Sequence, residues 1–250
     1  MKKILITGAN GRIGTALINY IESLNTEYMI TPADLSLEES HGFKFDITNL
    51  DACRKAFSNH DMVIHLAAVP YTNASFEEIL PANIIGTYNI FQAAIEAGVK
   101  RVIYASSAHT IEGYPTDVQV KPDMPTRPQN LYGASKVYGE ALGSYYAYQQ
   151  GLEVVAVRIG AFKYPHEWEH LNTRDLSAWS EPGDICSLFV DCLEVDMKDN
   201  PFFIAHAISD NKYKRLDISS TKKYLGYSPK SDAFKTWGIT IPDNSEPKKA

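Results

Sequence analysis

Apolar residues in this chain fall into short unbroken runs, with amphipathic stretches between them. The runs are Lys3–Thr7, Tyr28–Ala33, Met62–Leu66, Arg101–Ala105 and Glu153–Ile159. Helical spacing fills the gaps over Ile13–Ser23, Leu50–Phe57, Ala82–Ala97 and Leu131–Gln149. Unbroken rather than alternating apolar runs mark strands covered on both faces. Their alternation with helices predicts an α/β fold, a doubly wound parallel sheet with right-handed crossovers. Gly98 and Gly151 close two of the helices. After Gly160 the rhythm breaks. Residues 161–182 mix Pro165, charge and aromatics and read as loop-rich. Asp184–Val195 reads as a helix, Phe202–Ala207 as a strand, and Ser220–Leu225 as a short helix ending at Gly226. The expected organisation is a doubly wound core over 1–160, an interleaved cap and last core elements over 161–240, and a polar, flexible tail over 241–250. The cap is too short for an independent domain. It is expected over the carboxyl edge of the sheet, where open α/β sheets bind ligands.

The 250 residues suffice for one large core, and 44% hydrophobic with 22% charged residues is ordinary for a soluble protein. A net charge of −6 argues against nucleic acid and anionic membrane as partners. No apolar run is long enough to cross a membrane, and the one after Lys2-Lys3 stops at Thr7-Gly8, too early for a signal peptide. Cys53, Cys186 and Cys192 lack metal or redox spacing. They read as reduced thiols of a cytoplasmic protein.

The first strand runs into Thr7-Gly8-Ala9-Asn10-Gly11-Arg12-Ile13-Gly14 and then a helix. Glycines permit a tight turn and close approach of a phosphate, and the helix N-terminus offers N–H donors to a pyrophosphate. The spacing is G-x-x-G-x-x-G, not the commoner G-x-G-x-x-G. Asp34 follows the second strand, where a carboxylate accepts hydrogen bonds from an adenosine ribose and repels a 2′-phosphate. A loop Asp closing a turn is the plainer reading. Asp46-Ile47 follows the apolar segment Phe43–Phe45, where an adenine amine would bind. His65-Leu66-Ala67-Ala68 ends the next strand with small residues that leave room for a cofactor. Asn83 opens the following helix, where it also suits a cap. Arg12 in the glycine turn keeps NADP open beside NAD.

Tyr132-Gly133-Ala134-Ser135-Lys136 places a phenol and an ammonium at i and i+4 on one helix face. An adjacent ammonium favours phenolate, so the pair predicts a tyrosine of lowered pKa acting as general base. Ser106-Ser107 ends the fifth strand and offers a hydroxyl beside it. Alone, Y-x-x-x-K fits a surface pair. With the glycine turn and the strand-end serine it fits an oxidoreductase.

Taken together, T-G-A-N-G-R-I-G, H-L-A-A, N-I-I-G-T, A-S-S and Y-G-A-S-K, in this order over residues 1 to about 230, resemble the extended short-chain dehydrogenase/reductases of the NAD-dependent epimerase/dehydratase family. The resemblance is strongest to uronate dehydrogenases, through Leu131–Lys136, Arg158-Ile159-Gly160 and Arg174 five residues before Trp179. It implies a Rossmann core with a small substrate-binding cap, and oxidation of a sugar hemiacetal carbon to a lactone with NAD. It implies Ser107, Tyr132 and Lys136 as catalytic residues, with Lys136 also on the nicotinamide ribose. The implied cofactor set is Gly8, Asn10, Gly11, Arg12, Ile13, Gly14, Asp34, Leu35, Asp46, Ile47, Leu66, Ala67, Ala68, Asn83, Tyr132, Lys136 and Ile159. Ser107, His109 and Arg174 would hold the sugar, Arg174 as a bidentate carboxylate ligand. Ala108 and Ala161 depart from the subgroup, which favours Asn and Ser there. Uronic acids, neutral aldoses and sugar phosphates therefore all remain open as substrates. So does a surface role for Arg174, paired with Asp175, Glu169 or Glu181.

An epimerase or dehydratase with tightly held NAD is the alternative enzyme, disfavoured by the short C-terminal part. A cofactor-sensing regulator is a third reading, against which the Tyr/Lys pair stands. His166-Glu167-Trp168-Glu169-His170 matches H-E-x-x-H, but Pro165 precedes it, no long amphipathic helix surrounds it, and no third ligand is evident. No metal is expected. Tyr138, Tyr145, Tyr146 and Tyr148 crowd the Tyr132 helix. The resemblance implies a homodimer through this helix and Ala82–Ala97.

Overall fold

The structure, a computed structural model, describes residues 1–24, 26–38, 42–168 and 172–240. In chain order the first half gives β1 (Lys2–Thr7), α1 (Arg12–Ser23), β2 (Tyr28–Asp34), β3 (Phe43–Lys44), α2 (Leu50–Phe57), β4 (Met62–His65), α3 (Phe76–Ile79), α4 (Thr87–Glu96) and β5 (Arg101–Ser107). It continues with α5 (Leu131–Gln150), β6 (Glu153–Ile159), β7 (Ala161–Phe162), α6 (Thr173–Ser177), β8 (Trp179–Ser180), α7 (Pro182–Glu194), β9 (Phe202–Ala207), α8 (Ser219–Leu225) and α9 (Ala233–Thr236). Seven strands form one sheet in the order β3-β2-β1-β4-β5-β6-β9, and every pairing is parallel. β7 and β8 form a separate parallel pair.

Both faces of the central sheet are covered, which is why β1, β4, β5 and β6 carry unbroken buried runs. On one face Ile4, Ile6, Ile64, Ile103 and Val155 pack with Leu17 and Ile21 of α1 and Leu188 and Phe189 of α7. On the other, Leu5, Val63, Val102 and Val154 pack with Phe57, Ile90, Phe91 and Tyr146. The order of strand addition reverses at β1, with β2 and β3 laid down on one side and β4 onward on the other. The carboxyl ends of β1 and β4 therefore border a crevice, the place where such sheets bind ligands.

The helix expected over Ala82–Ala97 is not one regular helix. It begins earlier, at Phe76, where Ser75 accepts from the Glu78 N–H and Glu78 reaches back to the Ser75 N–H at 2.7 Å. Residues Leu80–Gly86 form a wide π-type turn before α4. Pro81 has no N–H to give the ladder and its ring crowds the preceding turn, so the helix opens there. The opening brings Gly86 against Ile47, leaving room for no Cβ: one built there would lie 2.6 Å from Ile47 Cδ1. The tail 241–250 lies outside the described residues. Among those described, no helix is long and apolar enough to cross a membrane.

Candidate active site

A cavity of about 540 Å³ opens at the crevice, lined by the glycine turn, the ends of β2 and β4 and the β3–α2 loop. The turn has little room for side chains. Gly8 adopts φ +71°, and a Cβ there would lie 2.6 Å from the Ala67 nitrogen. A Cβ on Gly14 would lie 2.3 Å from the Gly8 carbonyl oxygen. With those glycines the α1 N-terminus stays open to the cavity. Its Ncap, Gly11, supplies no side-chain cap. The first-turn N–H groups keep no side-chain partner, as an anion site requires. The cradle offers the N–H donors that a dinucleotide's phosphates need, and Asp34, Leu35, Asp46 and Ile47 line the cavity with it.

The structure brings Gly8, Gly11, Arg12, Ile13, Gly14, Asp34, Leu35, Asp46, Ile47, Leu66, Ala67 and Ala68 to the cavity wall. Asp34 accepts from the Asn10 N–H at 3.2 Å and from the Ser36 N–H and hydroxyl at 2.9 and 2.8 Å. The Asn10 side chain itself turns to Ser36. Arg12 forms an ion pair with Glu167. Ile159 is packed in the core under α1 and α7, outside the lining. Asn83 is also outside the lining and caps no helix. Its amide holds the cavity wall instead, accepting from Val69 N–H at 2.8 Å and donating to Val69 O at 3.1 Å and Ser135 Oγ at 3.0 Å. Ser135 lies on α5, so Asn83 ties the wall to the helix bearing Tyr132 and Lys136. Thr7, Ala33, Phe45, Val69, Pro70, Ala82 and Phe162 complete the lining. Most are apolar loop or strand-end residues without a motif to mark them.

The β5 end and the α5 start form the second half of the site. Asn130 caps α5 by accepting from the Gly133 N–H at 2.7 Å. A Cβ on Gly133 would lie 2.3 Å from the His109 carbonyl oxygen, so glycine lets α5 press onto the turn after Ser107. The Tyr132 phenol is buried, and burial raises its pKa more than the neighbouring Ser107 lowers it. The sequence predicted the opposite direction. The reason lies with Lys136, whose ammonium is 4% exposed, lies 5.7 Å from the Tyr132 ring centre and donates to the Ala105 carbonyl at 2.9 Å. Burial brings its own pKa down to about 7, which weakens its hold on a phenolate. His65 stands behind it. His65 Nδ1 is bonded to Thr7 Oγ1 at 2.8 Å, and burial and Lys136 lower its pKa to about 3, so it is neutral.

His109 meets the Tyr132 ring edge-on at 5.8 Å, and its Nδ1 is 3.3 Å from the Asn130 amide. Burial, then Arg174, lowers its pKa. Arg174, on α6, is half-buried and commits three of its five N–H donors to carboxylates. It donates to both Glu112 oxygens, at 3.0 and 2.6 Å, and to Asp175 at 2.7 Å. Asp175 was a partner considered from sequence. Glu112, 62 positions away, was not. Beneath the site Glu140 of α5 grips Arg158 of β6 and the Ser106 hydroxyl.

His166 and Glu167 lie in the short turn Pro165–Glu167, His166 stacked on Tyr164 and Glu167 engaged with Arg12. Glu169 and His170 lie outside the described residues. Among the described residues, no three metal-ligating side chains cluster. All three cysteines are buried and unpaired by disulfides.

Known proteins resemble this arrangement. An L-arabinose 1-dehydrogenase (NAD(P)(+)) of Haloferax volcanii is 32% identical, matching 93% of this chain and 98% of its own. A uronate dehydrogenase of Pseudomonas syringae is 34% identical, over 92% of this chain and 82% of its own. The crystal structure of a mutant uronate dehydrogenase from Agrobacterium tumefaciens, complexed with NAD, superposes with a TM-score of 0.82 at 32% identity, covering 98% of this chain and 93% of that one. The profile of the NAD dependent epimerase/dehydratase family matches residues 4–181, and the chain belongs to that family.

Proposed function

We propose that the protein is an NAD-dependent dehydrogenase that oxidises the hemiacetal carbon of a sugar to a lactone. The observation that carries this reading is the meeting of Ser107, Tyr132 and Lys136 at the β5 end and α5 start, outside the lining of the glycine-walled cavity but tied to its wall through Asn83. The relatives named for C1 oxidation of arabinose and for oxidation of uronates support it. Bound NAD supplies the hydride acceptor. Ser107, which neighbours Tyr132, orients the anomeric hydroxyl toward it. In its phenolate form, which burial disfavours in the free chain, Tyr132 removes the hydroxyl proton as hydride leaves the carbon. Lys136, in its charged form, supports the phenolate and reaches the nicotinamide ribose. His109 packs on the Tyr132 ring and faces the sugar. The 161–240 segment interleaves a cap with the last core elements, and from it Phe162 lines the cavity.

NAD is favoured over NADP because the Asp34 carboxylate would face a 2′-phosphate, and Arg12 is held by Glu167. A homodimer is supported by Ile85, Tyr88, Tyr145 and Tyr148, which stand exposed around α4 and α5. Tyr146, by contrast, is stacked on Phe91 within the chain. Three cysteines without disulfides suit a cytoplasmic setting. The test is NADH formation across uronic acids, neutral aldoses and sugar phosphates, with NAD and NADP in parallel. Reduction of NAD by at least one class is expected. Silence across the panel, with NAD bound, overturns the reading.

A further inference from the structure

Arg174 is the cation that acts on His109, and its hydrogen-bonding edge is already covered. Nε and Nη2 donate to the two oxygens of Glu112 at 3.0 and 2.6 Å, and Nη1 to Asp175 Oδ1 at 2.7 Å. A guanidinium fork on a carboxylate is the geometry it would offer to a substrate carboxylate or phosphate. Here the chain itself provides that carboxylate. Glu112 is fixed from its other side by Arg215, which is 1% exposed. Arg215 Nε lies 3.6 Å from Glu112 Oε1, and its Nη atoms donate to the backbone oxygens of Glu112, Tyr114 and Pro115.

Two guanidinium groups thus face two carboxylates, Glu112 and Asp175, and their charges balance. Burial and Arg174 keep His109 toward its neutral form. Lys163, the remaining cation acting on Asp175, has its ammonium over the Trp168 ring at 4.9 Å. An anionic sugar could take the Nε–Nη2 fork of Arg174 only by expelling Glu112. The displaced carboxylate, 13% exposed in its pair, would then lie beside the incoming anion.

We propose that Glu112 occupies on Arg174 the place of a substrate carboxylate or phosphate, so that the site takes an uncharged aldose. This inference rests on the sugar-dehydrogenase reading and narrows it to one substrate class. The Glu112 carboxylate and the remaining guanidinium surface then serve sugar hydroxyls, which need no net charge. Glu112 acts as a specificity-determining residue.

The test uses sugars that differ only at C6: galactose against galacturonate, and glucose against glucuronate and glucose 6-phosphate. kcat/KM is measured with NAD for the wild type and for Glu112→Gln, which keeps the shape and removes the charge. The wild type is expected to favour each neutral sugar by at least about tenfold, the scale of one charged hydrogen bond. Glu112→Gln is expected to raise kcat/KM for the uronates by a similar factor, through KM. A wild type that prefers a uronate or phosphate overturns the inference while the dehydrogenase reading stands. A neutral preference that Glu112→Gln leaves unmoved overturns the role of Glu112. No NADH from any sugar, with NAD bound, overturns both readings. If the variant does not fold, the wild-type ratios decide the substrate class.

Discussion

Replacing Glu140 with alanine tests whether a buried ion pair holds the two halves of the catalytic group together. Glu140 lies one turn after Lys136 on α5 and is 5% exposed, and its partner Arg158 on β6 is 1% exposed. Arg158 donates to both Glu140 oxygens at 2.8 Å, and the Ser106 hydroxyl adds a third bond at 2.5 Å. Behind them His206 Nε2 is 3.4 Å from Arg158 Nη1, and Nδ1 donates to the Asp217 carbonyl at 2.9 Å. Burial and Arg158 lower the His206 pKa to about 3, so it is a neutral acceptor and brings no compensating charge. Glu140→Ala therefore strands a guanidinium in the core, at a cost of about 3–5 kcal/mol. That is a large share of the ~5–15 kcal/mol that holds a typical domain. Urea unfolding measures the loss. Paired with Arg158→Met in a double-mutant cycle using Glu140→Leu, it should give a coupling of about 3 kcal/mol, because an apolar pair replaces the ionic one. In Glu140→Gln, kcat should fall while NAD affinity holds, since Ser106 precedes Ser107 and neither touches the adenosine cavity. A loss below about 1 kcal/mol for Glu140→Ala, or additive effects in the cycle, refutes the reasoning.

Three further outcomes follow from the geometry. Lys136 titrates near pH 7 when folded and near its ordinary 10.5 when unfolded, so the unfolded chain binds more protons between those values. Its contribution to stability therefore rises with pH across that window, and Lys136→Met should remove the slope. At pH 7 and below the variant should be more stable than wild type by on the order of a few kcal/mol, yet inactive. Gly14→Ala places a Cβ 2.3 and 2.7 Å from the carbonyl oxygens of Gly8 and Ala9, so the turn must open. Calorimetry should show NAD affinity at least about tenfold lower, the loss of roughly one charged hydrogen bond. Asp34→Ala removes the charge facing a 2′-phosphate, and kcat/KM with NADP should rise relative to NAD by about tenfold or more.

The sheet was legible because burial on both faces forces apolar residues at successive positions, as in Ile4, Leu5 and Ile6. The glycine turn was legible because its close approaches admit no other side chain. The wide turn at Leu80–Gly86 was not, although Pro81 and the Ser75–Glu78 box mark it in hindsight. Apolar spacing continues through both segments and hides the change in pitch. The pairs Arg174–Glu112 and Arg158–Glu140 span 62 and 18 positions. Charge patterning along a helix detects neighbours three or four apart, so neither pair is marked by its spacing. The Tyr132 pKa direction was missed for a related reason. The i and i+4 spacing gives the two groups one face, but the burial of that face decides which charges survive there.

The central claim concerns one phenol. NADH formation from the best sugar, measured beside NAD binding for Tyr132→Phe, tests it most directly. The account predicts unchanged NAD affinity and a kcat lowered by roughly 10²–10⁴, the usual contribution of a positioned general base. A variant that turns over at the wild-type rate would contradict it.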